Sequence, residues 1–193
     1  LGIREQWMVP YIREHTSIPV QKVLDPTLLL KRSDYDTIAV NHKIESKKYL
    51  LLYARRYNKD MFDYAEHIAE IKGLKIVDIS LRATNAGKHR MFYDAGVEEF
   101  LSLVKYADYV VTNSFHGMLM AVQYRRPFVI FSREQCDIKI DEVLELLGLS
   151  SRKMINSSDS VPYDTDYGMV EERLETPRQN SLSFLKKCLE QCQ

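Results

Sequence analysis

The sequence predicts an α/β fold, a Rossmann-like parallel sheet with helices on both faces. Short apolar segments and helix-like segments alternate at least four times along the 193 residues. This alternation is typical of right-handed βαβ units, which place a parallel sheet between layers of helices. The apolar segments are continuous, as expected for strands buried on both faces. We therefore predict a single domain over residues 1–193, with a lead-in segment over 1–30 and a closing helix over 176–193.

The first elements are predicted from periodicity and from residues that end helices. The lead-in segment is predicted to contain a short helix that Pro10 breaks or bends, and a short strand before an Asp-Pro turn. Residues 33–37 are predicted as a loop. Residues 49–53 form a continuous apolar run and predict a buried strand. A helical pattern follows and stops at Gly73, which is a typical C-terminal residue.

The second half of the chain repeats the same alternation. Its predicted strands cover 74–80, 108–112 and 127–132, and its predicted helices cover 97–107, 114–126, 140–148 and 181–192. Residues 82–96 are polar and predict a long loop, which in an α/β fold usually lies over the functional site. Residues 156–166 read as a flexible connection.

Composition limits the function classes. Lysine plus arginine and aspartate plus glutamate number 27 each, so the formal net charge is zero and a general nucleic-acid binder is disfavoured. No apolar run approaches the ~20 residues that span a bilayer, so no transmembrane segment is predicted. Three cysteines do not make a disulfide framework, which favours the cytoplasm. The sequence starts with Leu1 in what reads as the middle of a longer chain, so we expect a fragment whose N-terminal part is missing.

Polar residues follow each of the predicted strands at its carboxyl end, where ligands of open α/β sheets bind. Arg55 follows the first, Arg82 the second, Asn113 and Ser114 the third, and Lys139 lies beyond the fourth. We take these as candidate substrate-binding residues. The arginines also have a simpler interpretation as solvated charges at strand ends. No metal-ligand cluster and no glycine-rich phosphate motif is visible.

The segment "VVTNSFHGMLMAV" (110–122) places a histidine where a buried strand ends and a helix begins. Ser114 can cap the helix, whose first N–H groups and dipole favour an anion, and Gly117 would allow a ligand to approach closely. His116 is well placed to move a proton and is the candidate catalytic residue. The alternative is an ordinary capped helix with a surface histidine.

The stretch "DAGVEEFLSLVKYADYVVTNSFHGMLMAVQYRRPFVIF" (94–131) resembles the signature of the polysaccharide pyruvyl transferase family. The pieces "GIRE" (2–5), "VLDPTLLL" (23–30), "YLLLYARR" (49–56) and "IKIDEVLELLGLSSR" (138–152) are similar to further family segments in the same order. The resemblance runs in register from residue 2 to about residue 152.

The resemblance implies one half of a two-domain enzyme with the glycosyltransferase-B arrangement, the other half being an N-terminal domain. It implies transfer of a pyruvyl unit from phosphoenolpyruvate, the donor substrate, to a sugar hydroxyl of a lipid-linked or oligosaccharide acceptor, with release of phosphate. No cofactor is needed, and the enzyme would work in the cytoplasm, at the inner face of the membrane through its acceptor. His116 falls on the family's catalytic histidine and Arg55 on its donor-binding arginine.

This chain departs from some family members, which carry an arginine two residues before the histidine, where this chain has Ser114. Arg82, Lys139 or the helix N-terminus would have to replace that cation. Two other functions remain open. One is a glycosyltransferase that uses a nucleotide-sugar, with Glu98 and Glu99 near the donor. The other is a domain that binds an anion or a partner without catalysis.

Overall fold

The computed structural model describes residues 1–40, 43, 47–134, 136–156 and 164–190. The elements in chain order are β1 (Gly2–Ile3), α1 (Met8–Glu14), β2 (Gln21–Lys22), a 3₁₀-helix (Pro26–Leu28), α2 (Arg32–Asp36), β3 (Tyr49–Tyr53), α3 (Lys59–Lys72), β4 (Lys75–Ile79), a 3₁₀-helix (Ala83–Asn85), β5 (Arg90–Met91), α4 (Val97–Tyr106), β6 (Tyr109–Thr112), α5 (Phe115–Gln123), β7 (Phe128–Phe131), α6 (Asp137–Leu147), a 3₁₀-helix (Ser150–Arg152), β8 (Lys153–Met154) and α7 (Tyr167–Glu190).

Six of the strands form one parallel sheet in the order β5-β4-β3-β6-β7-β8. Helices connect β3 to β4 and β6 to β7. These two crossovers run in opposite directions from the centre of the sheet, so right-handed connections put α3 and α5 on opposite faces. The predicted Rossmann-like parallel sheet flanked by helices is confirmed.

The strand order reverses between β3 and β6. From β3 the chain runs outward to β4 and β5, then returns to the other side of β3 and continues to β7 and β8. In open α/β sheets the crevice at such a reversal, outside the carboxyl ends of the strands, is where ligands bind. The fold therefore marks the ends of β3 and β6, at Tyr53 and Thr112, as the place to search for a site.

The core lies in and around this sheet. The central strands are fully buried, with Leu50, Leu51 and Leu52 of β3 and Val111 of β6 at 0% exposure. This burial explains why their sequences are apolar without alternation. The helix α3 packs its apolar side on the same core, and its ends are set by local signals. Asn58 Oδ1 accepts a hydrogen bond from Met61 N at 3.0 Å, and Gly73 closes the helix at φ 61°.

The chain forms two compact units. The sheet unit comprises Lys31–Cys136 and Ser151–Thr165 and holds the six-stranded sheet. The terminal unit comprises Leu1–Leu30, Asp137–Ser150 and Asp166–Gln193 and holds the parallel pair β1 and β2 with α1, α6 and α7. That residues 1–193 make a single domain stays a prediction.

Within the terminal unit, α7 is joined to the lead-in segment by buried polar contacts. The side chain of Arg178 donates from Nε to Leu28 O at 2.9 Å, and Ser181 Oγ accepts from Leu24 N at 2.9 Å. Both side chains are almost fully buried. None of the helices among the described residues is long and apolar enough to cross a membrane.

Several boundaries differ from the sequence-based expectation. Residues predicted as a loop at 33–37 fall largely in α2, because Asp34 Oδ2 accepts from Lys31 N at 2.8 Å and stabilises the start of a helix. The predicted loop 82–96 contains a 3₁₀-helix and the short edge strand β5. The last helix begins at Tyr167 and continues through Pro177. Most of the predicted connection 156–166 lies outside the described residues.

The burial of β3 predicts a large cost for a cavity at its centre. Replacing Leu51 by alanine should lower the free energy of unfolding by about 2–5 kcal/mol, measured by urea denaturation followed by circular dichroism. The matched control is Leu81→Ala, because Leu81 is 90% exposed and its truncation should change stability by less than about 0.5 kcal/mol. Equal losses in both variants would contradict the assignment of β3 to the core.

Candidate active site

A cavity of about 540 Å³ opens where β3 and β4 end. Its lining comes from the turn after β3, the start of the loop after β4, and the segment just after β5. Three arginines, Arg55, Arg56 and Arg82, line it, and no acidic residue is among its lining residues. A cavity with several guanidinium groups and no carboxylate favours an anionic ligand.

The turn after β3 is fixed by the side chain of Asn113, which follows β6. Asn113 is 1% exposed. Its Oδ1 accepts from Arg55 N at 2.8 Å, and its Nδ2 donates to Arg56 O at 2.7 Å. The carboxamide therefore satisfies two backbone groups of the arginine turn and joins it to the neighbouring strand end. The predicted substrate contact of Asn113 stays a prediction, whereas these two hydrogen bonds orient the arginine turn.

Arg82 is held by aromatic side chains. Its guanidinium carbon lies 3.6 Å from the ring centroid of Tyr57 and 5.8 Å from that of Phe62. Stacking on an aromatic face restricts a flexible side chain and leaves the edge of the guanidinium available for hydrogen bonds. Arg55 and Arg82, predicted from two different strand ends, thus line one cavity.

The turn after β6 is built from hydroxyl groups. The Thr112 side chain donates to Tyr53 O at 2.7 Å and accepts from Ser114 N at 2.9 Å, so it joins the ends of β3 and β6. Ser114 Oγ then accepts from Gly117 N at 3.3 Å as the cap of α5. The predicted cap is confirmed. Ser114 is 4% exposed and its side chain caps the helix, whereas its predicted substrate contact stays a prediction.

His116 lies in the first turn of α5 and is exposed, whereas every other residue of that helix is buried. Its ring meets that of Phe115 edge to face at a centroid distance of 5.4 Å. An exposed histidine on an otherwise buried helix, beside the strand reversal, is available to a ligand. His116 is not among the residues that line the arginine cavity.

Gly117 is explained by packing. A Cβ atom at this position would lie 2.7 Å from Thr112 Oγ1 and 2.8 Å from Tyr53 Cδ1. Only glycine therefore lets α5 approach the ends of β3 and β6 this closely. In this structure Gly117 allows the helix to lie close to the strand ends. Its predicted close contact with a substrate stays a prediction.

Lys139 lies half-buried on α6, in the terminal unit, whereas the other candidate residues belong to the sheet unit. Its predicted role in substrate binding stays a prediction. Among the residues that the structure describes, no group of three or more histidine, cysteine, aspartate or glutamate side chains could hold a metal ion.

Tyr57 and Tyr93 are not among the site residues predicted from the sequence. Both line the cavity, at 55% and 49% exposure. Tyr57 comes two residues after Arg55, and a large aromatic side chain in a polar turn is a signal that could have identified it. Arg56, the neighbour of Arg55, also lines the cavity without being among the predicted substrate-binding residues.

Comparison with models of protein families gives a match over more than half of the chain. The model of the family described as polysaccharide pyruvyl transferase matches residues 1–135. This range is 135 of the 193 residues and includes β3, β6 and the turn that carries His116. No curated protein and no solved structure gives a significant match.

The close packing at Gly117 predicts a specific loss of stability. Gly117→Ala should lower the free energy of unfolding by about 1–3 kcal/mol, because the new methyl group overlaps Thr112 and Tyr53. Gly87→Ala is the matched control, since a Cβ at Gly87 meets no atom within 4 Å. The measurement is urea denaturation of both variants. A Gly117→Ala protein as stable as Gly87→Ala would show that α5 does not pack as described.

Proposed function

The chain belongs to the polysaccharide pyruvyl transferase family, and we propose that it transfers a pyruvyl unit from phosphoenolpyruvate to a cell-surface polysaccharide, with release of phosphate. One observation carries the choice of donor: three arginines and no acidic residue line a cavity at the carboxyl ends of β3 and β4, next to the strand reversal between β3 and β6. A doubly anionic donor such as phosphoenolpyruvate matches this charge.

Phosphoenolpyruvate carries a carboxylate and a phosphate on the same carbon. The planar fork of an arginine can donate two parallel hydrogen bonds to either group. In the proposal Arg55 and Arg82 each bind one end of the donor. Arg82 is oriented by the Tyr57 ring, and Arg55 follows a backbone held by Asn113, so little side-chain or backbone order has to be gained on binding.

The first turn of α5 is the second part of the proposed donor site. The N-terminal end of a helix carries partial positive charge, which stabilises an anion or the charge that develops as phosphate leaves. Ser114 caps this turn in the position where some family members carry an arginine. The helix end and Arg82 together replace the missing cation in the proposal.

The proposed reaction replaces the carbon–carbon π bond and the bond to the phosphate oxygen by one C–H bond and two bonds to sugar oxygens. A proton adds to the methylene carbon of the enol, and the adjacent carbon then accepts the oxygen of a sugar hydroxyl. A second hydroxyl of the same sugar displaces phosphate and closes a ketal. The two hydroxyl groups lose two protons; one balances the proton gained by the methyl group and the other leaves with the phosphate or a base.

His116 is the proposed general acid or base. Its imidazole is exposed, and histidine is the side chain that most often transfers protons in catalysis. The acceptor is proposed to be a lipid-linked or oligosaccharide sugar, bound on the open side of the cavity. We also propose that the reaction takes place in the cytoplasm, at the inner face of the membrane where a lipid-linked acceptor resides. The proposed chemistry uses no cofactor.

Loss of the imidazole should stop turnover without unfolding the protein. His116→Ala should reduce phosphate release from phosphoenolpyruvate about 10²–10⁴-fold in the protein that carries this chain, because proton transfer is lost. His67→Ala is the control, since His67 is also exposed and lies on a helix, α3. Circular dichroism should be the same for both variants. Unchanged turnover in His116→Ala would exclude the catalytic role.

Donor recognition should depend on the cavity arginines. Arg55→Gln and Arg82→Gln should each weaken phosphoenolpyruvate binding by about tenfold or more in calorimetric titrations, since each removes a charge-assisted hydrogen bond. Arg125→Gln is the control for net charge. Arg125 is exposed and follows α5, at the end of the sheet opposite the carboxyl ends of the strands. A nucleoside diphosphate sugar that binds more tightly than phosphoenolpyruvate would support a glycosyltransferase instead.

A further inference from the structure

A buried carboxylate supports the loop that carries Arg82. Asp78 lies in β4 at 0% exposure, in a strand that is otherwise largely apolar. Its Oδ2 accepts from Asn85 Nδ2 at 2.8 Å, and His89 Nδ1 lies 2.9 Å from the same oxygen. An Nδ1–H group at this distance can donate to the carboxylate oxygen. The three side chains form what we call the Asp78 cluster.

The loop between β4 and β5 buries little of its own surface. None of residues 81–88 is buried, and Leu81 is 90% exposed. Segments with few buried apolar contacts open locally at low cost. Besides the stacking of Arg82 on Tyr57 and Phe62, the hydrogen bonds to Asp78 connect this exposed loop to the interior of the sheet.

The Asp78 cluster is connected to Arg82 through the loop backbone. Asn85 N donates to Arg82 O at 3.0 Å, and Arg82 N donates to Ser80 Oγ at 3.3 Å. At the far end of the loop, Phe92 N donates to Asp78 O at 3.0 Å. Ser80, Arg82 and Phe92 all line the arginine cavity, so the loop held by Asp78 forms one side of it.

The Asp78 cluster buries polar atoms that are not all hydrogen-bonded, which lowers the stability of a protein core. Asp78 Oδ1 and His89 Nε2 are buried and have no hydrogen-bond partner among the described residues. A charged neighbour of His89 Nε2 outside the cluster is Glu66 Oε1, at 3.7 Å, which also lies 3.4 Å from Lys88 Nζ. Buried polar groups that are only partly satisfied usually reflect a specific requirement. The Asp78 cluster meets such a requirement if it holds the backbone of the loop that carries Arg82.

We propose that Asp78 is a positioning residue for donor binding: through Asn85 and His89 it fixes the loop that presents Arg82 to the anion. Asp78 itself does not touch the donor, because its carboxylate is buried behind the loop. This inference rests on the proposed function for the identity of the donor, but the fixing of the loop is a property of the ligand-free chain.

Four variants of the 193-residue chain separate positioning from folding. Asn85→Ala and His89→Leu each remove one donor to Asp78. Thr84→Ala is the control for the first, because Thr84 is an exposed neighbour in the same 3₁₀-helix. His89→Asn is the conservative control for the second, since an asparagine amide can donate from about the position of Nδ1.

Two measurements are made on each variant. Amide hydrogen exchange without ligand should become about tenfold faster over residues 80–92 in Asn85→Ala and His89→Leu, with no change in β3. Calorimetric titration with phosphoenolpyruvate should show a dissociation constant about tenfold higher in the same two variants. Both controls should stay near the wild-type values.

The proposal is overturned if loop exchange is unchanged, if all of the chain exchanges faster, or if the donor binds equally well while the loop opens. A failure of the proposed function gives a different result. The wild-type chain would then not bind phosphoenolpyruvate, while exchange in the ligand-free variants would still report whether Asp78 fixes the loop.

Discussion

The pairing of β3 with β6 at the centre of the sheet is the constraint on which the site depends. These strands are neighbours in space but are separated in the chain by two α-helices, a 3₁₀-helix and two further strands. Because they are parallel, their carboxyl ends meet at one edge, and the turns that follow them face each other. Thr112, Asn113 and the close approach at Gly117 join those turns directly.

The polar side chains nearest the site mostly hold the backbone. Asn113 orders the turn that carries Arg55, Ser114 starts α5, and Asp78 supports the loop that carries Arg82. The residues proposed to meet substrate, Arg55, Arg82 and His116, are left at the surface of this frame. Arg55 and His116 are exposed and Arg82 is half-buried. A backbone ordered before a ligand binds lowers the entropy cost of binding.

The sequence predicted the parallel sheet because its strands are continuous apolar runs. It singled out His116 as a candidate catalytic residue because this histidine lies two residues after Ser114, at the start of a helix. It also identified Arg55 and Arg82, which line the cavity. It could not show that Gly117 packs against Tyr53 or that Asp78 meets Asn85 and His89, since these contacts join separate turns or need a loop conformation that periodicity does not specify. The helix α2 was missed because it is only five residues long and its start is stabilised by a side-chain contact of Asp34, which periodicity does not reveal.

The measurement that tests the account most directly is a backbone amide NMR titration of the chain with phosphoenolpyruvate, inorganic phosphate and a nucleoside diphosphate sugar. The account predicts that phosphoenolpyruvate gives the tightest response, with shifts concentrated at Arg55, Arg82 and residues 114–117. Shifts confined to other parts of the chain, a tighter response to the nucleotide sugar, or no response to phosphoenolpyruvate would contradict the claim that this edge of the sheet holds the pyruvyl donor.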